Sequence, residues 1–145
     1  MKPTTVFLGE MTNLEVEAFL REHDTVIVPT GSTEQHGPHG PLLTDVLVPT
    51  EVARRIAPVV GAAVAPSINY GLSYPHDGFT GVVRLRIPTF EALVEDVCVS
   101  LATVGFNPQS QPLWSRPAQL RPRSSGSPTM RRSTPMMVAR SSSSS

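Results

Sequence analysis

Of the 145 residues one is a cysteine, so Cys98 can form no internal disulfide. It falls in a helical pattern where a buried thiol is the ordinary outcome, and it is not taken for a nucleophile. A reducing, cytoplasmic compartment is the expectation. No apolar run approaches the about 20 residues of a membrane span, and the N-terminus lacks the basic-then-apolar layout of a signal peptide. That predicts a soluble, unexported protein with no membrane contact. Histidine is scarce as well: the four stand at positions 23, 36, 39 and 76. No acidic residue follows Asp96.

The 12 basic and 12 acidic residues cancel, but they are unevenly spread. Residues 107–145 hold six arginines (116, 121, 123, 131, 132 and 140) and no acid, a charge of +6 that leaves residues 1–106 at −6. The same 39 residues contain 6 prolines, 11 serines and one aromatic, Trp114, and close on five serines. Such a composition predicts a disordered tail. A basic arm for nucleic acid is the other reading of a tail like this, but scattered arginines and a single aromatic speak against it.

Residues 1–106 alternate helix and strand signals. Thr12-Asn-Leu-Glu15 is a capping box with Met11 and Val16 at the staple positions, and it predicts a helix to about Glu22. Residues 26–28 form a β-branched strand. A second helix is expected from about Pro49-Thr50, burying Val52, Ile56 and Val59. Residues 62–68 read as a strand, 69–80 as a turn-rich loop, and 82–87 as a strand in which Val83, Leu85 and Ile87 alternate. Thr89 is the expected cap of a last helix through Val104, stopped at Gly105. Strands separated by helices predict an α/β domain with a parallel sheet between helices. A chain of this length suits one domain that buries about 70% of its unfolded surface.

Directly after the first strand comes Pro29-Thr-Gly-Ser-Thr-Glu-Gln-His-Gly-Pro-His-Gly-Pro-Leu-Leu-Thr-Asp45, at the strand end where open α/β sheets place their sites. Glu34 and His36, two residues apart, leave one face of an extended segment. The glycines and prolines between 37 and 41 oppose helix and favour a turn that brings Asp45 back. One imidazole and two carboxylates suit Zn²⁺, Mn²⁺ or a related divalent ion. Ligand type alone leaves a second reading open, a polar surface loop with idle histidines, because Glu-x-His is common and no second histidine cluster accompanies it.

Gly31-Ser-Thr-Glu-Gln-His-Gly-Pro-His39, followed by Pro41-Leu42 and Thr44-Asp45, resembles the signature of the creatininase family, the creatinine amidohydrolases and their relatives. Gly40 departs from the larger apolar residue often found there. Gly71-Leu-Ser73 with His76, Phe79 and Gly81 resembles the family's next active-site loop, although Val82-Val83-Arg84 replaces the more usual Thr-Ile-Ser. The resemblance spans about residues 5–106. It implies a creatininase-like fold, a mainly parallel sheet between helix layers, and a two-metal site. Glu34 would bind one ion, His36 the other, and Asp45 would bridge them, with a hydroxide between the metals attacking an amide carbon. His39, Gln35 and Ser32 would support the ligands from behind. His76 would line the substrate pocket as a catalytic group, the alternative being a loop histidine without a role. The implied function is a metal-dependent amidohydrolase that acts on a non-peptide C–N bond of a small or cyclic amide. Two divalent ions (Zn²⁺, Mn²⁺ or similar), a small-molecule amide substrate and a homo-oligomer are the implied cofactors and partners.

The family's ligand set is completed by a histidine in an Asn-Gly-His-Gly-Gly type motif on the strand after the last helix, and by a further acid downstream. Neither is present. With three ligands for two ions, the expectation is a weakly active or inactive chain whose sheet stops after about three strands, with one edge unpaired and apolar faces uncovered. The change in composition after Phe106 suggests a shifted reading frame. If Trp114-Ser115-Arg116 are encoded TGG-TCA-CGG with C following, a one-nucleotide advance reads Gly-His-Gly, although Leu113 cannot yield the preceding Asn. Two other functions stand beside the amidohydrolase: a non-catalytic divalent-metal-binding fragment and a basic-tail interaction protein.

Overall fold

A computed structural model of the chain describes residues 3–107 and 136–138. Helix α1, Asn13–Leu20, starts where the capping box sets it: the Thr12 hydroxyl accepts from the Glu15 amide, and the Glu15 carboxylate accepts from the Thr12 amide at 2.9 Å. Both orphan donors of the first turn are thus satisfied. The chain then enters strand β1, Thr25–Pro29, whose last four residues are buried. Burial on both faces is what a central parallel strand requires, and it explains why the run is continuously apolar rather than alternating.

Helix α2, Thr44–Val60, begins earlier than the sequence suggests. Pro49-Thr50 reads as a helix start, yet Pro49 is the sixth helical residue, and Pro58 also lies inside. The start is set upstream, where the Thr44 amide and hydroxyl both donate to the Pro41 carbonyl. Gly61, in the left-handed conformation at φ 66°, ends the helix. Strand β2, Ala62–Val64, follows at once and pairs parallel to β1 in the register Thr25 with Ala62 and Ile27 with Val64. Only the first three residues of the expected 62–68 strand are regular, although Ile68 still bridges to Thr30.

Residues 82–87 do not form the expected strand. Val83 bridges to Thr33 and Arg84 to Gly71, but Val83 and Ile87 are exposed, so the alternation buries no face. Helix α3, Ile87–Thr103, takes over, with Arg86 rather than Thr89 at the cap and Pro88 in its first turn. Cys98 lies on α3, half buried against the core, and burial pushes its thiol pKa up, as expected of an inert cysteine.

The sheet is sandwiched. Val26 and Val28 of β1, with Ala63, Ala65 and Ile68, pack against Phe19 and Leu20 of α1, Val94 of α3 and Phe106. On the other face Ile27, Ala62 and Val64 meet Ala53 and Ala57 of α2. Small residues on α2 let the helix sit close to the strands. The other edge of β1 is not unpaired: strand β3, Met136–Val138, joins it antiparallel, giving the order β2-β1-β3. Three residues of the stretch expected to be disordered therefore belong to the sheet, and the rest of that expectation lies outside the described residues. Of the three α2 residues expected to be buried, only Ile56 packs against the core; Val52 and Val59 are exposed, because the helix turns Ala53 and Ala57 to the strands instead. Among the described residues no helix is long and apolar enough to cross a membrane.

Candidate functional site

The loop after β1 is pinned before any side-chain chemistry begins. The Gly31 amide donates to the Ile68 carbonyl at 2.8 Å, the Glu34 amide to Leu42 at 3.0 Å, and the Thr33 hydroxyl to Asn69 at 2.8 Å. His36 and Gly40 bridge across the turn between them. The glycines and prolines at 37–41 thus fold the segment back on itself, and the first turn of α2 follows with Asp45 at its second position. An anionic side chain is favoured there by the positive end of the helix dipole. Asp45 is placed by a helix, where the sequence suggested a turn.

His36 and Asp45 meet: Nε2 lies 3.1 Å from Oδ1. The other ring nitrogen, Nδ1, lies 2.9 Å from the Glu34 carbonyl oxygen, an atom that can only accept. Nδ1 therefore carries a proton. In a neutral imidazole that leaves a lone pair on Nε2 facing a carboxylate, an arrangement stable only with a cation or a further proton between the two. Burial works against charge on His36, but the hydrogen bonds to the Glu34 carbonyl and to Asp45, with the fields of both carboxylates, outweigh it and raise the pKa above the ordinary value.

Glu34 is buried, at 6% exposure, and its carboxylate faces a different histidine: His76 Nε2 is 3.5 Å from Oε1. His76 comes from the 3₁₀ turn Tyr74–His76 in the long loop, and its Nδ1 lies 2.8 Å from Gln35 Nε2. Gln35 Oε1 in turn accepts the Gly37 amide at 2.9 Å. His76 and Gln35 thus join the site through Glu34. His39 is exposed with its ring beside Gly37, while Ser32 packs against Gly71 on the neighbouring loop. Ser73 adds a group that sequence reading left without a role. The residue is 1% exposed, and its buried hydroxyl has no hydrogen-bond partner among the described residues. Burial of this kind is a tertiary property, and nothing local in Gly71-Leu-Ser73 signals it.

Do these residues fit divalent ions? The His36–Asp45 pair does, because an imidazole whose other nitrogen is tied to a carbonyl is a pre-oriented ligand, and 3.1 Å lies within reach of one ion with bonds of about 2.0–2.2 Å. Glu34 is turned to His76, and among the described residues no three His, Cys, Asp or Glu side chains form a cluster that could hold a metal.

The profile of the creatininase family, described as creatinine amidohydrolase, matches residues 9–108. A creatinine amidohydrolase of Pseudomonas putida is 39% identical over 107 residues, covering 70% of this chain and 41% of that protein. A 3-dehydro-scyllo-inosose hydrolase of Thermotoga maritima is 34% identical over 109 residues, covering 74% and 35%. A solved mutant creatininase of Zn-Zn type superposes with a TM-score of 0.66 at 37% identity, covering 71% of this chain and 42% of that one. The chain thus spans less than half the length of each of these relatives.

Proposed function

The chain belongs to the creatininase family, and from that premise we propose that it carries the first part of a two-metal amidohydrolase site. Glu34, His36 and Asp45 are its metal-ligating residues. The observation that carries this reading is the His36 ring, tied through Nδ1 to a backbone carbonyl and aiming Nε2 at Asp45. Divalent ions such as Zn²⁺ or Mn²⁺ supply Lewis acidity, which acidifies water and polarises an amide carbonyl. The chain's own residues hold and orient. Asp45, anchored on a helix start, fixes the outer side of the site. Glu34, out of bulk water, keeps its charge directed inward, and His76 lines the space above it. The hydrolysed bond is the C–N bond of a small or cyclic amide, in a homo-oligomer within the cytoplasm, where a single unpaired cysteine is at home.

Three donors are few for two ions. No histidine follows His76 and no acid follows Asp96, so the chain on its own binds one divalent ion and hydrolyses amides weakly or not at all. Titrating the full chain with Zn²⁺ or Mn²⁺ and assaying creatinine hydrolysis tests both halves. One ion bound per chain, with turnover far below the ~10 s⁻¹ typical of enzymes, is expected. Chelator-sensitive turnover near that rate overturns the three-donor argument, and failure to bind any divalent ion overturns the metal assignment.

A further inference from the structure

The chain Gly37–Gln35–His76–Glu34 leaves little freedom in where the protons sit. A backbone amide only donates, so the Gln35 atom 2.9 Å from the Gly37 nitrogen must be the carbonyl oxygen. The opposite end of the same amide is then NH₂, which also only donates, and it points at His76 Nδ1 from 2.8 Å. Nδ1 must therefore offer its lone pair. In the neutral ring the remaining proton is on Nε2, and Nε2 faces Glu34 Oε1 at 3.5 Å. The side chains of His76 and Glu34 are 12% and 8% exposed, so water competes little for this contact.

We infer that Gln35 is a positioning residue: through its amide it fixes His76 as the Nε2–H tautomer, which presents a donor to Glu34 and holds that carboxylate in place. The inference deepens the metal reading of the loop and rests on it for its consequence, since a carboxylate whose direction is set by a neighbouring group is pre-oriented as a ligand. It also assigns His76 a role different from a ligand. Its Nε2 lone pair is taken up by a proton, and its Nδ1 lone pair by Gln35, so the ring steadies Glu34 without competing for the ion. Residues that orient a metal ligand in this way commonly change affinity 10- to 100-fold when removed.

The test separates tautomer from metal. In the full chain labelled with ¹⁵N-histidine, long-range ¹H–¹⁵N spectra without added metal should show His76 Nδ1 as the bare nitrogen and Nε2 as the protonated one. In Gln35→Glu the carboxylate can still accept from Gly37 but can no longer donate, so the His76 tautomer should reverse; in Gln35→Met, where nothing donates, the two forms should mix. Zn²⁺ affinity should fall about 10- to 100-fold in both variants. A wild-type ring protonated on Nδ1, or a tautomer indifferent to Gln35→Glu and Gln35→Met, overturns the inference. So does a tautomer that reverses while Zn²⁺ affinity stays unchanged. A wild-type chain that binds no Zn²⁺ overturns the metal reading instead, and the tautomer then decides the role of Gln35 alone.

Discussion

Gly31 and Asp45 touch backbone to backbone. A Cβ built on Gly31 would overlap the Asp45 carbonyl, with its carbon at 2.6 Å and the Val46 nitrogen at 2.8 Å. The approach is possible because Pro49 has no amide hydrogen, so the Asp45 carbonyl gives up its usual helical partner four residues on. Gly31→Ala should therefore push the first turn of α2 away from β1. The expected cost is about 1–3 kcal/mol, as for other overpacked sites, and Asp45 should move with it. Chemical denaturation measures the first effect and Zn²⁺ titration the second; a variant as stable as wild type would show that the two segments can part without strain.

Asp45→Asn keeps the size of the side chain and removes its charge. Zn²⁺ affinity should fall at least tenfold while the melting temperature changes little, because Asp45 is partly exposed and its described partner is His36. Unchanged affinity would mean that the ion sits elsewhere.

Phe106 is 2% exposed and packs its ring 6.2 Å from that of Phe19. Phe106→Ala should cost about 3–5 kcal/mol, the range for a buried aromatic, as read from urea unfolding. A loss below 1 kcal/mol would show that the core closes before Phe106.

On the outer face of α2, Glu51 accepts hydrogen bonds from Arg54 and Arg55, which hold its pKa down to about 2 from an ordinary value of 4.5. The folded value lies below the unfolded one. The contribution is therefore full above about pH 4.5 and is lost as pH falls toward 2. The group is exposed, so the effect is small and screened by salt. Melting curves of wild type and Glu51→Gln should differ slightly at pH 6, converge near pH 2, and converge at any pH in 1 M salt. A difference that persists at pH 2 would point to packing instead.

The composition changes after Phe106, and the family match ends at residue 108. We expect the nucleotide sequence around codons 106–116 to read Gly-His-Gly at 114–116 when advanced by one base. Codons that give no histidine in either shifted frame would rule out a frame change there.

What could be read ahead of the structure was what short-range chemistry dictates. The α1 start follows from four residues, the β1 strand from a β-branched run, and the loop after it from its glycines and prolines. The α2 start was misplaced because a proline is as welcome at the start of a helix as it is tolerated, with one lost hydrogen bond, a turn and a half inside. The pairing of Glu34 with His76 was out of reach for a different reason. Residues 34 and 76 share no element, and long-range links such as the bridges of Thr30 to Ile68 and Thr33 to Val83 and the hydrogen bonds of Gly31 to Ile68 and Thr33 to Asn69 bring their loops together. His36 and Asp45 were legible as ligand types, but the tautomer of His36 depends on a carbonyl whose direction only the folded loop fixes.

His36 and Asp45 lie nine positions apart, on opposite sides of the junction where β1 gives way to α2. Whatever bridges them, proton or ion, closes a ring in the polypeptide and removes part of the loop's freedom to wander. Occupancy of the site is thereby written into chain motion: the amides of Gly37, His39, Gly40, Leu42, Leu43 and Thr44 should exchange with solvent more slowly when the ring is shut, so that a ligand of two side chains is sensed along the segment between them.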